Sequence, residues 1–141
     1  PMLEIFGSTI GIIGYGNIGK AIAAPLVALG ANVLPLALPG REKEGHTPLA
    51  AALPTLDAII LQCPLTPETR ALVDDAFLAQ LKPGTILVNT ARGPVVDPDA
   101  VCRALDSGLL SCYAADVMET LTQVNLLLRS GSGVLHQQPA L

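Results

Sequence analysis

The chain alternates short, wholly apolar runs with longer stretches in which apolar residues recur every three or four positions. Thr9 to Ile13 is β-rich, apolar and ends at a glycine, which predicts a buried strand. From Ile18 to Leu29 a helix is predicted, with Ile18, Ile22, Leu26 and Leu29 on one face and Gly30 as its C-cap. Pro25 removes a backbone donor inside that helix and predicts a kink or a restart. Ala31 to Leu38 returns to strand character, although Pro35 is awkward for a central strand. Pro39 to Pro48 is polar and turn-rich. Ala58 to Gln62 is a further strand. Thr66-Pro67-Glu68 has the pattern of an N-cap, proline at N1 and an acid in the first turn. Asp74 to Leu81 predicts a short helix and Thr85 to Asn89 a strand. Asp97-Pro98-Asp99 caps a helix to about Ser107, which Gly108 ends, and Ser111 to Asp116 is a last strand.

Strands that are apolar throughout, separated by helices, require burial on both faces, as in a parallel α/β sheet. The expected fold is a doubly wound parallel sheet forming one domain over residues 1–118. From Glu119 the pattern changes to a Leu-rich turn and then Ser130-Gly131-Ser132-Gly133, which is linker-like. Residues 119–141 are therefore expected to form a divergent tail, partly disordered and outside the sheet.

The 141 residues suit one domain, half of them are hydrophobic and 14% charged, and the net charge of -4 comes without a basic cluster. Nucleic acid and anionic membrane are not expected as partners. No apolar run approaches the roughly 18 residues that span a bilayer. Pro1-Met2-Leu3-Glu4 has no basic n-region, so no signal peptide is expected, and Pro1 in place of Met suggests a fragment, a trimmed chain or a processed start. Cys63, Cys102 and Cys112 lack metal-ligand spacing and are read as buried, reduced thiols of a cytoplasmic protein. With His46 and His136 far apart in sequence, no metal site is expected.

The chemistry begins at "IGIIGYGNIG", Ile10 to Gly19. A strand precedes this GxGxxG and a helix follows it, the context in which the motif points to a dinucleotide. Gly14 permits the tight turn, Gly16 lets a pyrophosphate approach the backbone, and Gly19 lets helix and strand pack closely. Amides near Asn17 and Ile18 and the helix dipole favour the phosphates. An acid that bonds the NAD ribose is expected about 20 residues on. Ala37 stands there, between Leu36 and Leu38, with Arg41 and Lys43 following. The missing acid and the nearby arginine admit NADP, while Glu42 and Glu44 dilute the positive field, so both NAD and NADP stay open.

Three segments, "GIIGYGNIGKAIA", "CPLTPETRALVDDAFLAQLKPGTILVNTARGPVVDPDAV" and "ALDSGLL" with "AADV", resemble the nucleotide-binding domain of the D-isomer-specific 2-hydroxyacid dehydrogenases. The likeness runs from about Gly7 to Val117. It implies a Rossmann-type fold and an oxidoreductase that moves hydride between a nicotinamide cofactor and a small 2-hydroxy or 2-oxo acid. It also implies a homodimer formed through this domain. Carried over by that resemblance, Asn17 and Ile18 meet the pyrophosphate, Cys63 and Pro64 line the adenosine side, and Thr69 lies nearby. Thr90, Ala91 and Arg92 lie by the nicotinamide, and Asp116 touches its carboxamide end. Arg92 matches the catalytic arginine, whose planar fork can hold the carboxylate and carbonyl of a 2-oxo acid.

Two departures stand out. The family pairs a histidine acid with a glutamate shortly after the last-strand Asp, but in "ADVMETLT" Leu121 occupies the place of that glutamate. His136, in "LHQQPAL", comes a few residues early for the histidine. The substrate domain, built in the family from segments flanking this one, is not found in these residues. A non-enzymatic or degenerate dinucleotide-binding module is the alternative expectation.

Overall fold

The computed structural model describes residues 4–38 and 40–117, together with the backbone of 134–136. Its strands are β1 (Thr9–Ile13), β2 (Asn32–Ala37), β3 (Thr47–Pro48), β4 (Ala58–Leu61), β5 (Thr85–Asn89), β6 (Leu110–Ala115) and β7 (Val134–His136). They form one sheet in the order β3-β2-β1-β4-β5-β6-β7, with every described pairing parallel. The helices are α1 (Asn17–Ala28), α2 (Leu49–Ala52), α3 (Asp75–Leu78) and α4 (Pro98–Asp106). The strand order reverses at β1, whose neighbours are β2 and β4, so a crevice opens there at the carboxyl ends of the strands.

Strands β1, β2, β4 and β5 present residues to two layers. Ile13, Leu36, Ile59, Leu61 and Leu87 join Leu53, Phe77, Leu78, Val101 and Leu105 in the larger core cluster. On the opposite face Ile10 and Ala58 pack with Leu26 of α1. The expected doubly wound sheet is thus present, with α1 on one face and α2, α3 and α4 on the other.

The apolar face predicted for α1 holds in part: Ile22 and Leu26 are half-buried, Leu26 against the core. The helix's buried residues are Gly19 and Ala23, whereas Ile18 and Leu29 are 64% and 56% exposed. Small side chains let α1 lie close to the sheet, where a Cβ at Gly19 would strike the Gly14 carbonyl. Nor does Pro25 break the helix. It lies on the exposed side of α1, which runs on to Ala28 past the donor that the proline ring lacks. Pro35 is accommodated because β3 reaches only Leu36 and Ala37, leaving β2 an open flank at that point.

Other expectations shift by a residue or more. Thr66 caps no helix. Its carbonyl accepts from the amides of Thr69 (3.1 Å) and Arg70 (3.0 Å), and the single turn ends at Ala71, whose φ of 50° is left-handed. The longer α4 is capped as expected, Asp97 accepting from the amides of Asp99 and Ala100, and the shorter α3 has a cap that the sequence reading did not name, Asp74 accepting from the Phe77 amide. The turn-rich stretch after β2 ends in β3, and α2 with the 3-10 turn Leu53–Thr55 escaped the sequence reading. The expectation that the tail stays outside the sheet fails for Val134–His136, which pairs with Tyr113–Ala115. Glu119, Leu121 and the Ser-Gly run lie outside the described residues. Of the three thiols only Cys63 is buried; Cys102 and Cys112 are intermediate.

Candidate functional site

The glycine turn is held in place by the core beneath it. Gly14 has φ of 101°, and a Cβ there would run into the backbone of Gln62 and Cys63. Gly14 and Gly19 are therefore required by the protein's own packing. Gly16 differs: it has negative φ, and a Cβ on it would meet nothing within 4 Å. The side-chain volume it forgoes opens onto a cleft of about 550 Å³, lined by the glycine turn, Asn17 and Ile18, the ends of β2 and β4, Cys63 and Pro64. No side chain caps α1, and its first turn holds no acid, so the amides at its start face this space with their dipole uncompensated.

Burial pushes the Cys63 thiol pKa up, which makes it a neutral wall of the cleft. Beyond Ala37 the lining is basic. Arg41, Lys43 and His46 line the cleft, while Glu42 and Glu44 of the same loop do not. The Glu42 carboxylate instead accepts from the Gly40 amide at 3.1 Å. Neither acid lines the cleft, although both stand next to its basic residues in the same loop. His46 also meets the Tyr15 ring edge-on, with centroids 6.1 Å apart, which ties the loop after β2 to the glycine turn.

The remaining candidates lie along the carboxyl ends of β5 and β6. Gln62 joins them to the cleft, its Nε2 donating to Thr90 Oγ1 at 2.6 Å. Asn89 is fully buried. Its Oδ1 accepts from the Ala91 amide (3.0 Å), and its Nδ2 donates to the Arg92 carbonyl (3.1 Å) and to Tyr113 Oη (3.4 Å). Ala91 is buried, while Arg92 and Asp116 are exposed. The Arg92 guanidinium donates to the Ala91 carbonyl at 2.6 Å, and among the described residues no carboxylate pairs with it. His136 stands in register with Ala115, beside the strand end that carries Asp116.

Thr69 is not at the cleft surface. It is 2% exposed, and its hydroxyl donates to the Pro64 carbonyl (2.7 Å) and accepts from the Thr66 amide (2.8 Å), which fixes the loop after β4. That loop is stitched to the Arg92 loop by three amides: Ala71 to Pro94, Val73 to Val95, and Asp97 to Val73. Sequence reasoning missed Asn89 and Gln62 as organising residues. A buried amide at a strand's end was the available signal, since it must find partners.

Among the described residues, no group of three or more His, Cys, Asp or Glu is placed to hold a metal ion, and no helix is long and apolar enough to cross a membrane.

Comparison with known proteins matches this geometry. Residues 1–131 match the family described as D-isomer specific 2-hydroxyacid dehydrogenase, NAD binding domain. The chain belongs to that family. It is 41% identical over 123 residues to D-3-phosphoglycerate dehydrogenase of Mycobacterium leprae, covering 83% of this chain and 23% of that protein. Glycerate dehydrogenase of Methylorubrum extorquens is 42% identical over 118 residues, covering 84% of this chain and 37% of the relative. Among solved structures, D-lactate dehydrogenase from Aquifex aeolicus, complexed with NAD and lactic acid, superposes with a TM-score of 0.84 at 28% identity, covering 96% of this chain and 47% of that one. The NAD-dependent formate dehydrogenase of Staphylococcus aureus in complex with NAD gives 0.83 at 31% identity, covering 95% and 42%. The chain thus spans less than half the length of these relatives.

Proposed function

We propose that this chain is the cofactor-binding part of a dehydrogenase acting on a small 2-hydroxy or 2-oxo acid. The observation that carries the proposal is the open face of Gly16 over the uncapped start of α1, on the same sheet edge as Arg92. The residues present fit a dinucleotide, because Gly16 presents bare backbone to the open cleft beside the uncapped, acid-free start of α1, a position that favours an anion.

Gly14, Gly16, Asn17, Ile18 and Gly19 would hold the diphosphate, and Cys63 and Pro64 the adenosine side. Thr69 would act by shaping that loop. Thr90, Ala91, Arg92 and Asp116 would surround the nicotinamide end, and a bound nicotinamide supplies or accepts the hydride. Arg92 would grip the substrate carboxylate, orient the reacting carbon and stabilise negative charge developing on its oxygen. Asn89 would keep the Arg92 loop in place. At the other end, Ala37 leaves the ribose without a carboxylate while Arg41, Lys43 and His46 line the cleft, which supports acceptance of NADP alongside NAD.

The test is a titration of the purified chain with NADH and NADPH, following the nucleotide's own emission because the chain has no Trp, then assays with glyoxylate, hydroxypyruvate and pyruvate. Binding followed by turnover that falls about a hundredfold or more in Arg92→Ala supports the reading. The second reading, a dinucleotide-binding module without turnover, is favoured by Leu121 standing where an acid is expected; binding with no turnover of any of the three acids selects it. A cytoplasmic setting and a homodimer formed through this domain belong to the same proposal, and sedimentation equilibrium tests the dimer.

A further inference from the structure

The loops after β2 and β4 approach each other across the basic end of the cleft. Arg41, from the first, has Nη2 4.0 Å from Oε2 of Glu68, from the second, and both side chains are more than half exposed. Glu68 does not itself line the cleft but pairs with Arg41, which does, while the Glu42 carboxylate is folded onto Gly40. The Thr66 side chain and then a backbone amide hold the Glu68 carboxyl below the usual carboxylate range, with Arg41 adding to the effect. Glu68 therefore carries full charge at neutral pH.

We infer that Glu68 is a selector of the cofactor's adenosine phosphate, competing for the Arg41 guanidinium with a phosphomonoester placed at the end of β2. This inference rests on the dinucleotide reading of the cleft and adds to it a residue that sets cofactor preference. A cofactor with a 2′-phosphate must either draw Arg41 from Glu68 or bind next to an uncompensated carboxylate. A cofactor without that phosphate meets neither obstacle. A single arginine thus serves both cofactors, biased toward the unphosphorylated one by a carboxylate on the opposite loop.

The experiment measures NADPH and NADH affinities by cofactor emission on the full chain, in low salt, for wild type, Glu68→Gln, Arg41→Ala and the double variant. Glu68→Gln should tighten NADPH about two- to fivefold, the range of an exposed ion pair, and leave NADH within error of wild type. The gain should shrink toward nothing in the Arg41→Ala background and fade as salt is raised. Because residue 68 is exposed, circular dichroism should show the variant folded as wild type. Equal changes for both nucleotides, no change for NADPH, or an undiminished gain without Arg41 would overturn the inference while leaving the cleft's assignment standing. Failure of all four proteins to bind either nucleotide would overturn the dinucleotide reading and this inference with it.

Discussion

The glycine turn and the Arg92 loop sit on the same edge of one sheet but are built on opposite plans. At the turn, backbone does the work. Gly14 and Gly19 are dictated by what lies under them, and the surface proposed for the diphosphate is the bare backbone at Gly16 beside the uncapped start of α1. At the Arg92 loop, side chains do the work. Buried Asn89 fastens the loop from below, and the exposed guanidinium above it is the group to which the proposal gives the substrate. A surface made by backbone resists substitution because the fold itself forbids change. A surface made by one side chain can lose its chemistry while the fold persists.

The contrast orders the expected effects of substitution. Gly14→Ala should be the most damaging, because the Cβ meets backbone and φ is left-handed: about 4 kcal/mol or more, read as a collapse of the urea midpoint or loss of soluble protein. A Gly14→Ala protein of wild-type stability would show that the turn is less constrained than the Arg92 loop. Asn89→Ala should follow at about 2–3 kcal/mol, since it strands the Ala91 amide and the Arg92 carbonyl at a buried site. Arg92→Ala should change the unfolding free energy by no more than about 0.5 kcal/mol, as expected for an exposed side chain with no ion pair among the described residues. If Asn89→Ala proved as mild as Arg92→Ala, the loop would have a support other than Asn89.

A smaller effect at the opposite edge of the sheet serves as a control. Asp57 accepts from the Thr9 amide (2.8 Å) and pairs with Lys82 (2.7 Å). Lys82 first, then Thr9, hold its carboxyl pKa below the ordinary value. The unfolded chain takes up this proton near pH 4, the folded chain only at lower pH. The stabilisation is therefore fully present above about pH 4 and is lost as pH falls through the folded pKa. Between pH 6 and 3, Asp57→Asn should lose about 1 kcal/mol less stability than wild type, a figure reduced for the pair's partial exposure. Urea titrations across that range check it, and both halves of the site should respond alike.

What the sequence made legible follows the same division. Strands β1, β2, β4, β5 and β6 and the glycine turn could be read because their constraints are local: a short apolar run, a glycine where φ must be positive, an aspartate ahead of a proline. The family likeness then supplied Arg92, which no periodicity would single out. Features set by distant partners were harder to read. The buried face of α1 follows Gly19 and Ala23 because the sheet demands close approach, a requirement invisible in the hydrophobicity of Ile18 and Leu29. Pro35 fits only because β3 is too short to need its amide. Val134–His136 is a strand by virtue of the β6 edge beside it, not of its own pattern. The basic lining of the cleft depends on which residues of the loop after β2 turn inward, and charge composition alone cannot tell.

The central claim is that the open face of Gly16 receives a dinucleotide's diphosphate. Calorimetric titration of NADH into wild type and Gly16→Ala, with urea unfolding of both, tests it most directly. Alanine fits the backbone there and meets nothing, so stability should change by no more than about 1 kcal/mol, while NADH affinity should fall at least about tenfold, roughly 1.4 kcal/mol. Equal NADH affinity in the two proteins, or no heat of binding from well-folded wild type, would contradict the claim.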